Sequence, residues 1–156
     1  MTDDTRHDDV TTLNTLTATL IDSVKGFEDA AANIEGSSNL QQQFRERASE
    51  RNKAVEELRT EVRRLGGNAE DDGSFLGKTH QRFLDLKAAV TGRDEQAIVN
   101  EVERGEDYLK EKFETALKLD SLSGQSRAVI ERAYQSVKSG HDQMSQLKHG
   151  MEGTNA

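Results

Sequence analysis

Apolar residues recur along the chain at intervals of three and four, the spacing that aligns side chains on one face of an α-helix. In the first run, Leu13, Leu16, Leu20, Val24, Phe27, Ala31 and Ile34 form one stripe, which predicts a helix over about residues 10–35. Gly36 and Ser37 end it, and Ser38 or Asn39 caps a second helix over about 38–65, whose stripe is Leu40, Phe44, Ala48, Val55, Leu58, Val62 and Leu65. Gly66 and Gly67 stop that helix. A third over about 74–91 carries Phe75, Leu76, Thr79, Phe83, Leu86 and Val90, and a fourth over about 94–118 carries Ile98, Val102, Leu109, Phe113, Ala116 and Leu117. A fifth over about 125–149 has the narrowest seam: Ile130, Ala133, Val137, Gly140, Met144, Leu147 and Met151.

No window alternates apolar and polar residues with β-branched enrichment, so the fold class is all-α. Short connections between helices of this length favour antiparallel neighbours, which gives an up-down four-helix bundle with an additional C-terminal helix. The expected division is a disordered acidic tail at 1–9, the bundle at 10–120, an appended amphipathic helix at 121–150 and a disordered tail at 151–156.

Composition narrows the chemistry. A chain of 156 residues has the size of one domain. The absence of proline leaves long helices unobstructed, and the absence of cysteine excludes disulfides, thiolate metal sites and thiol nucleophiles. Net charge is −8, with two basic against eight acidic residues in 1–36 and seven basic against five acidic in 37–66. In that second segment arginines alternate with glutamates, the pattern of a solvated helix face, so nucleic acid is not an expected partner. Neither a secretory leader nor a membrane span is discernible, which leads to the expectation of a cytoplasmic protein.

The informative residues are ionisable ones that interrupt the apolar stripes, because burying a charge is costly unless it is paired. Arg51 sits at the centre of the second stripe and Glu106 near the middle of the fourth; Glu28, His80 and Glu103 border theirs. A metal site within the bundle, holding iron, manganese or zinc, would draw on Glu28, His80, Glu103 and Glu106. Against it, the chain contains no Glu-x-x-His, and Arg51 places a cation at the centre. The favoured alternative is a structural ion pair in which Arg51, with Arg47 beside it, meets Glu28 or Glu106 and fixes helix register. At about 1.5 Å per residue Glu28 falls level with Arg47, and His80 level with Glu103 and Glu106.

No nucleophile motif accompanies the four histidines, and no glycine-rich loop follows a strand, so no catalytic residues are assigned and no cofactor is expected. Gly105, inside a helix beside Glu106, implies close approach of another helix. The fifth helix's seam packs on its own bundle or pairs with a second copy or a partner protein, which makes a homo-oligomer or a protein complex the expected association.

Several strings together resemble a bacterial family of ferritin-like four-helix-bundle proteins of unknown function. They are Leu20-Ile21-Asp22-Ser23-Val24-Lys25-Gly26-Phe27-Glu28-Asp29-Ala30-Ala31, the second helix closing in Leu65-Gly66-Gly67, the helix containing His80, and Glu103-Arg104-Gly105-Glu106-Asp107 followed by Phe113 and Ala116-Leu117. The resemblance covers about residues 10–118. It implies a ferritin-like bundle, a cytoplasmic and stress-associated setting, and recurrent Glu and His positions at Glu28, His80, Glu103 and Glu106. The missing Glu-x-x-His departs from ferritins proper and argues against iron oxidation. The expected function is therefore a non-enzymatic bundle acting through protein association; the alternative is a degenerate ferritin-like metal binder or oxidase.

Overall fold

The computed structural model describes residues 2–34, 38–70 and 95–154, and among these every regular element is a helix. They are α1 (Asp3–Asn33), α2 (Ser38–Arg64), α3 (Glu95–Leu117) and α4 (Gly124–Thr154). The segment predicted to form the third helix, with His80, lies outside the described residues.

Helix α1 begins at Asp3, not near residue 10, so the expected N-terminal tail is helical. Thr2 supplies the cap, its hydroxyl oxygen accepting from the Thr5 N–H at 3.1 Å, and Asp3 and Asp4 place negative charge at the positive end of the helix. Asp9, fully buried, accepts from the backbone N–H of Ser123 at 3.2 Å, just before α4 starts. That docking holds the first turns on the bundle and explains why their polar sequence does not leave them as a tail. At the other end α4 runs to Thr154, past the expected boundary at 150.

Helix α2 ends in a Schellman motif: Gly66, at φ 81°, donates to the Arg63 carbonyl, and Gly67 to the Val62 carbonyl. Gly67 leaves room for the first helix, since a Cβ there would lie 2.8 Å from Val10. The end of α3 is closed from outside by Arg127, whose guanidinium donates to the carbonyls of Leu117 and Leu119.

The four helices pack as the corners of a square. Helix α1 lies mainly against α2 and α3 mainly against α4; α2 also meets α4, and α1 meets α3. Helices α2 and α3 make no close backbone approach, so they face each other across a diagonal, as do α1 and α4. Side-chain pairs set the directions. Gln43–Gln143, Glu50–Ser136 and Glu61–Ser126 run antiparallel between α2 and α4, while Glu103–Lys148, Asp107–His141 and Glu114–Tyr134 do so between α3 and α4. Adjacent helices are thus antiparallel and the diagonal pair α2 and α3 is parallel.

The seam of α4 completes this square, with Ile130, Ala133, Val137 and Met144 buried in the common core. Among the described residues α4 is one of four corners; the bundle it was expected to join includes the predicted third helix, which lies outside them. A seam continuous over that length buries more apolar area inside the bundle than on its outside. Leu13, Leu20, Phe27, Phe44, Leu58, Ile98, Leu109 and Phe113 supply the other walls. Among the described residues no helix is long and apolar enough to cross a membrane.

Candidate functional site

At mid-height the core is polar. Arg51 on α2 donates from both terminal nitrogens to Glu106 on α3, at 2.8 Å to each carboxylate oxygen, and also to the Ser23 hydroxyl on α1 at 2.5 Å. All three residues are fully buried. The pair spans the diagonal of the bundle, a distance that neighbouring helices do not have to bridge. Only a long side chain crosses it, and the planar guanidinium presents two parallel donors to the carboxylate. The Phe27 ring supports the Arg51 guanidinium at 5.3 Å. From the fourth corner comes Gly140, where a Cβ would stand 2.6 Å from Arg51 and 3.0 Å from Glu106. Ser23 and Gly140 therefore occupy the other diagonal as the small residues that leave room for the pair.

The remaining candidates for the ion pair go elsewhere. Arg47 pairs with Glu50 at 2.9 Å and donates to Gln143 at 2.6 Å, on the α2–α4 edge. Glu28 is exposed. Its level relative to α2 follows the rise per residue, but five residues from Ser23 is about 140° around the helix, which turns it to solvent. Of the residues expected to hold an interior metal, Glu28 and Glu106 are accordingly not brought together. Glu28 faces outward, both oxygens of Glu106 are held by Arg51, and His80 lies outside the described residues. Among the described residues the bundle centre does not fit a metal ion.

Glu103 stands in different company. With Asp107, one turn along α3, and His141 on α4, it forms a group whose nitrogen and carboxylate oxygens all lie within 4.8 Å of one another. His141 Nε2 lies 2.5 Å from Asp107 and Nδ1 lies 3.3 Å from Asp142, while Lys148 Nζ reaches Glu103 at 3.4 Å. Burial by itself would lower the His141 pKa; the hydrogen bonds to Asp107 and Asp142 outweigh it, and the imidazole titrates above its ordinary value.

A second buried carboxylate ties α2 to the start of α4. Glu61 accepts from Arg64 at 2.7 Å on each oxygen and from the buried Ser126 hydroxyl at 3.0 Å. Arg64's hydrogen bonds prevail over desolvation, Ser126 adds to them, and the carboxyl is held below the usual glutamate range. On the α3–α4 edge, the hydrogen bond to Glu114 pushes the Tyr134 hydroxyl up to about 12.

Sequence patterning singles out Arg51, Glu106 and Glu103, but not Ser23, Asp107 or His141. Ser23 is a small hydroxyl within an apolar run, and its signal is only that it lies one turn before Phe27. For His141 the signal is its place directly after Gly140, on the flank of an inward seam. Asp107 lies four residues after Glu103, which puts both on one side of α3.

No curated protein matches the chain. A family described as a domain of unknown function, DUF2383, matches residues 8–119, a span that contains Ser23, Arg51 and Glu106 but stops before Gly140 and His141. With well over half of its length matched, the chain belongs to the DUF2383 family.

Proposed function

We propose that the protein is a non-enzymatic helical bundle that acts by associating with protein surfaces, its own copies first, in the stress-related setting that the family resemblance implies. The observation that supports this is the occupied centre: the two terminal nitrogens of Arg51 hold both Glu106 oxygens and the Ser23 hydroxyl at the position where an interior ligand set would have to stand. An interior oxidase has less support for the same reason.

The seam of α4 is spent on the bundle, so its outer face carries the association. Leu119 is the exposed large hydrophobic among the described residues, which makes the contact a polar one. An open cleft between α2 and α4, lined by Arg47, Lys138, Asp142 and Gln143 among others, offers both charge signs and amide groups to such a contact. Polar interfaces of mixed charge weaken as salt screens them. Light scattering on the full chain should give a mass above one chain at low ionic strength that falls toward one chain at high ionic strength, and Lys138→Glu should lower it further. One chain at every protein concentration and ionic strength would refute self-association.

A further inference from the structure

We propose that Glu103, Asp107 and His141 bind one divalent transition-metal ion, with zinc as the best-matched species, on the α3–α4 face. The site is separate from the bundle centre and does not depend on the association proposed above. Two features of the fold assemble it. The four-residue spacing of Glu103 and Asp107 puts two carboxylates one above the other on α3. Antiparallel packing of α4 then brings His141 across to them, with Nε2 2.5 Å from Asp107.

The donor set is one imidazole nitrogen and two carboxylates, a mixed nitrogen and oxygen shell with three protein ligands and a position left for water. Zinc–ligand distances of about 2.0–2.2 Å put tetrahedral donors roughly 3.3 Å apart. The present donors lie within 4.8 Å of one another, so closure takes small side-chain rotations and no helix movement. Asp107 has that freedom, its side chain being 56% exposed.

An orienting group is already in place. Asp142 contacts His141 Nδ1, which turns Nε2 toward α3, the arrangement in which a carboxylate fixes the tautomer of a ligating imidazole. Electrostatics favour the ion too. Three carboxylates, Glu103, Asp107 and Asp142, surround the ring against two cations, Lys148 from α4 and Lys110 from α3. Lys148, 3.4 Å from Glu103, stands in for the ion until one binds, and its partly exposed side chain can swing away.

That displacement gives the proposal a signature that non-specific carboxylate binding lacks. Calorimetric titration of the full chain with Zn2+ should show one site. Asp107→Asn and His141→Gln should each weaken it at least about tenfold, roughly 1.4 kcal/mol, whereas Lys148→Gln should tighten it and His7→Gln should leave it unchanged. Co2+ should give a d–d absorption band that Zn2+ abolishes and excess Mg2+ does not. Circular dichroism of each variant checks that the helices remain. Unchanged affinity in both Asp107→Asn and His141→Gln, or displacement of Zn2+ by Mg2+ at similar concentrations, would overturn the assignment.

Discussion

Replacing Arg51 by Met removes one half of a buried ion pair and leaves the other half in place. Glu106 keeps its position at a fully buried site on α3, deprived of both donors that satisfy its oxygens at 2.8 Å. Breaking a buried pair in this way destabilises by about 3–5 kcal/mol, because the remaining charge must be desolvated without compensation. With an unfolding entropy of roughly 2.1 cal/mol/K per residue, a chain of this length should lose about 9–15 °C in Tm. Arg51→Met/Glu106→Leu, by contrast, removes both charges and fills the space with apolar groups, so it should recover most of the loss. Ser23 then keeps its hydroxyl free to bond within its own helix. The assay is urea unfolding of wild type, Arg51→Met, Glu106→Leu and the double variant, combined in a thermodynamic cycle. A coupling energy below about 1 kcal/mol would show that the two groups do not depend on each other and would refute the clasp as the organiser of the bundle centre.

Gly140→Ala should destabilise the protein even though alanine is favoured over glycine in a helix by about 1 kcal/mol, because its Cβ would stand 2.6 Å from the Arg51 guanidinium. Gly150→Ala on the same helix, with nothing within 4 Å of the new methyl, should have the opposite sign, and thermal melts of the two variants decide it. Glu61→Gln should lower stability by roughly 1–2 kcal/mol at neutral pH, the range for a charged hydrogen bond with a partly exposed partner. The Glu61 pKa is lowered on folding, so its contribution is complete above the unfolded value of 4.5 and is lost as pH falls through the lower folded value. The difference between wild type and Glu61→Gln in urea melts should therefore shrink below about pH 4.5, and a constant difference would contradict the pairing with Arg64 and Ser126.

The helices were legible because their determinants are local: stripes at intervals of three and four, a Gly-Gly stop, no proline. Arg51 and Glu106 were legible as anomalies, since each is charged at the centre of an apolar stripe. Tertiary direction was not. Glu28 falls near the right height but on the wrong side of α1, and a border position in a stripe does not say which way it turns. Asp9 looks like part of an acidic tail until Ser123, far along the chain, supplies its donor. His141 and Asp107 are ordinary surface residues in one dimension, and only the antiparallel registry of α3 and α4 makes them partners. Gly140 is intelligible only with the Arg51 head group pressed against it.

The boundary of the family match raises a physical question about its own span, because residues 8–119 exclude the helix that closes the square. Ending the chain after Asp120 would strip Ile130, Val137 and Met144, all fully buried, from the core, and would uncover the Arg51–Glu106 pair on the side where Gly140 now seals it. At about 1.5–3 kcal/mol for each buried side chain, those three residues are worth roughly 5–9 kcal/mol. The whole stability of a domain is about 5–15 kcal/mol. The shortened chain should then lose cooperative thermal unfolding, or recover it only by placing a second copy against the exposed corner, with a doubled mass in light scattering. A shortened chain that melts cooperatively as a single copy, within a few degrees of the full one, would mean that α4 lies against a core already complete without it, and the four-corner assignment of α4 would fail.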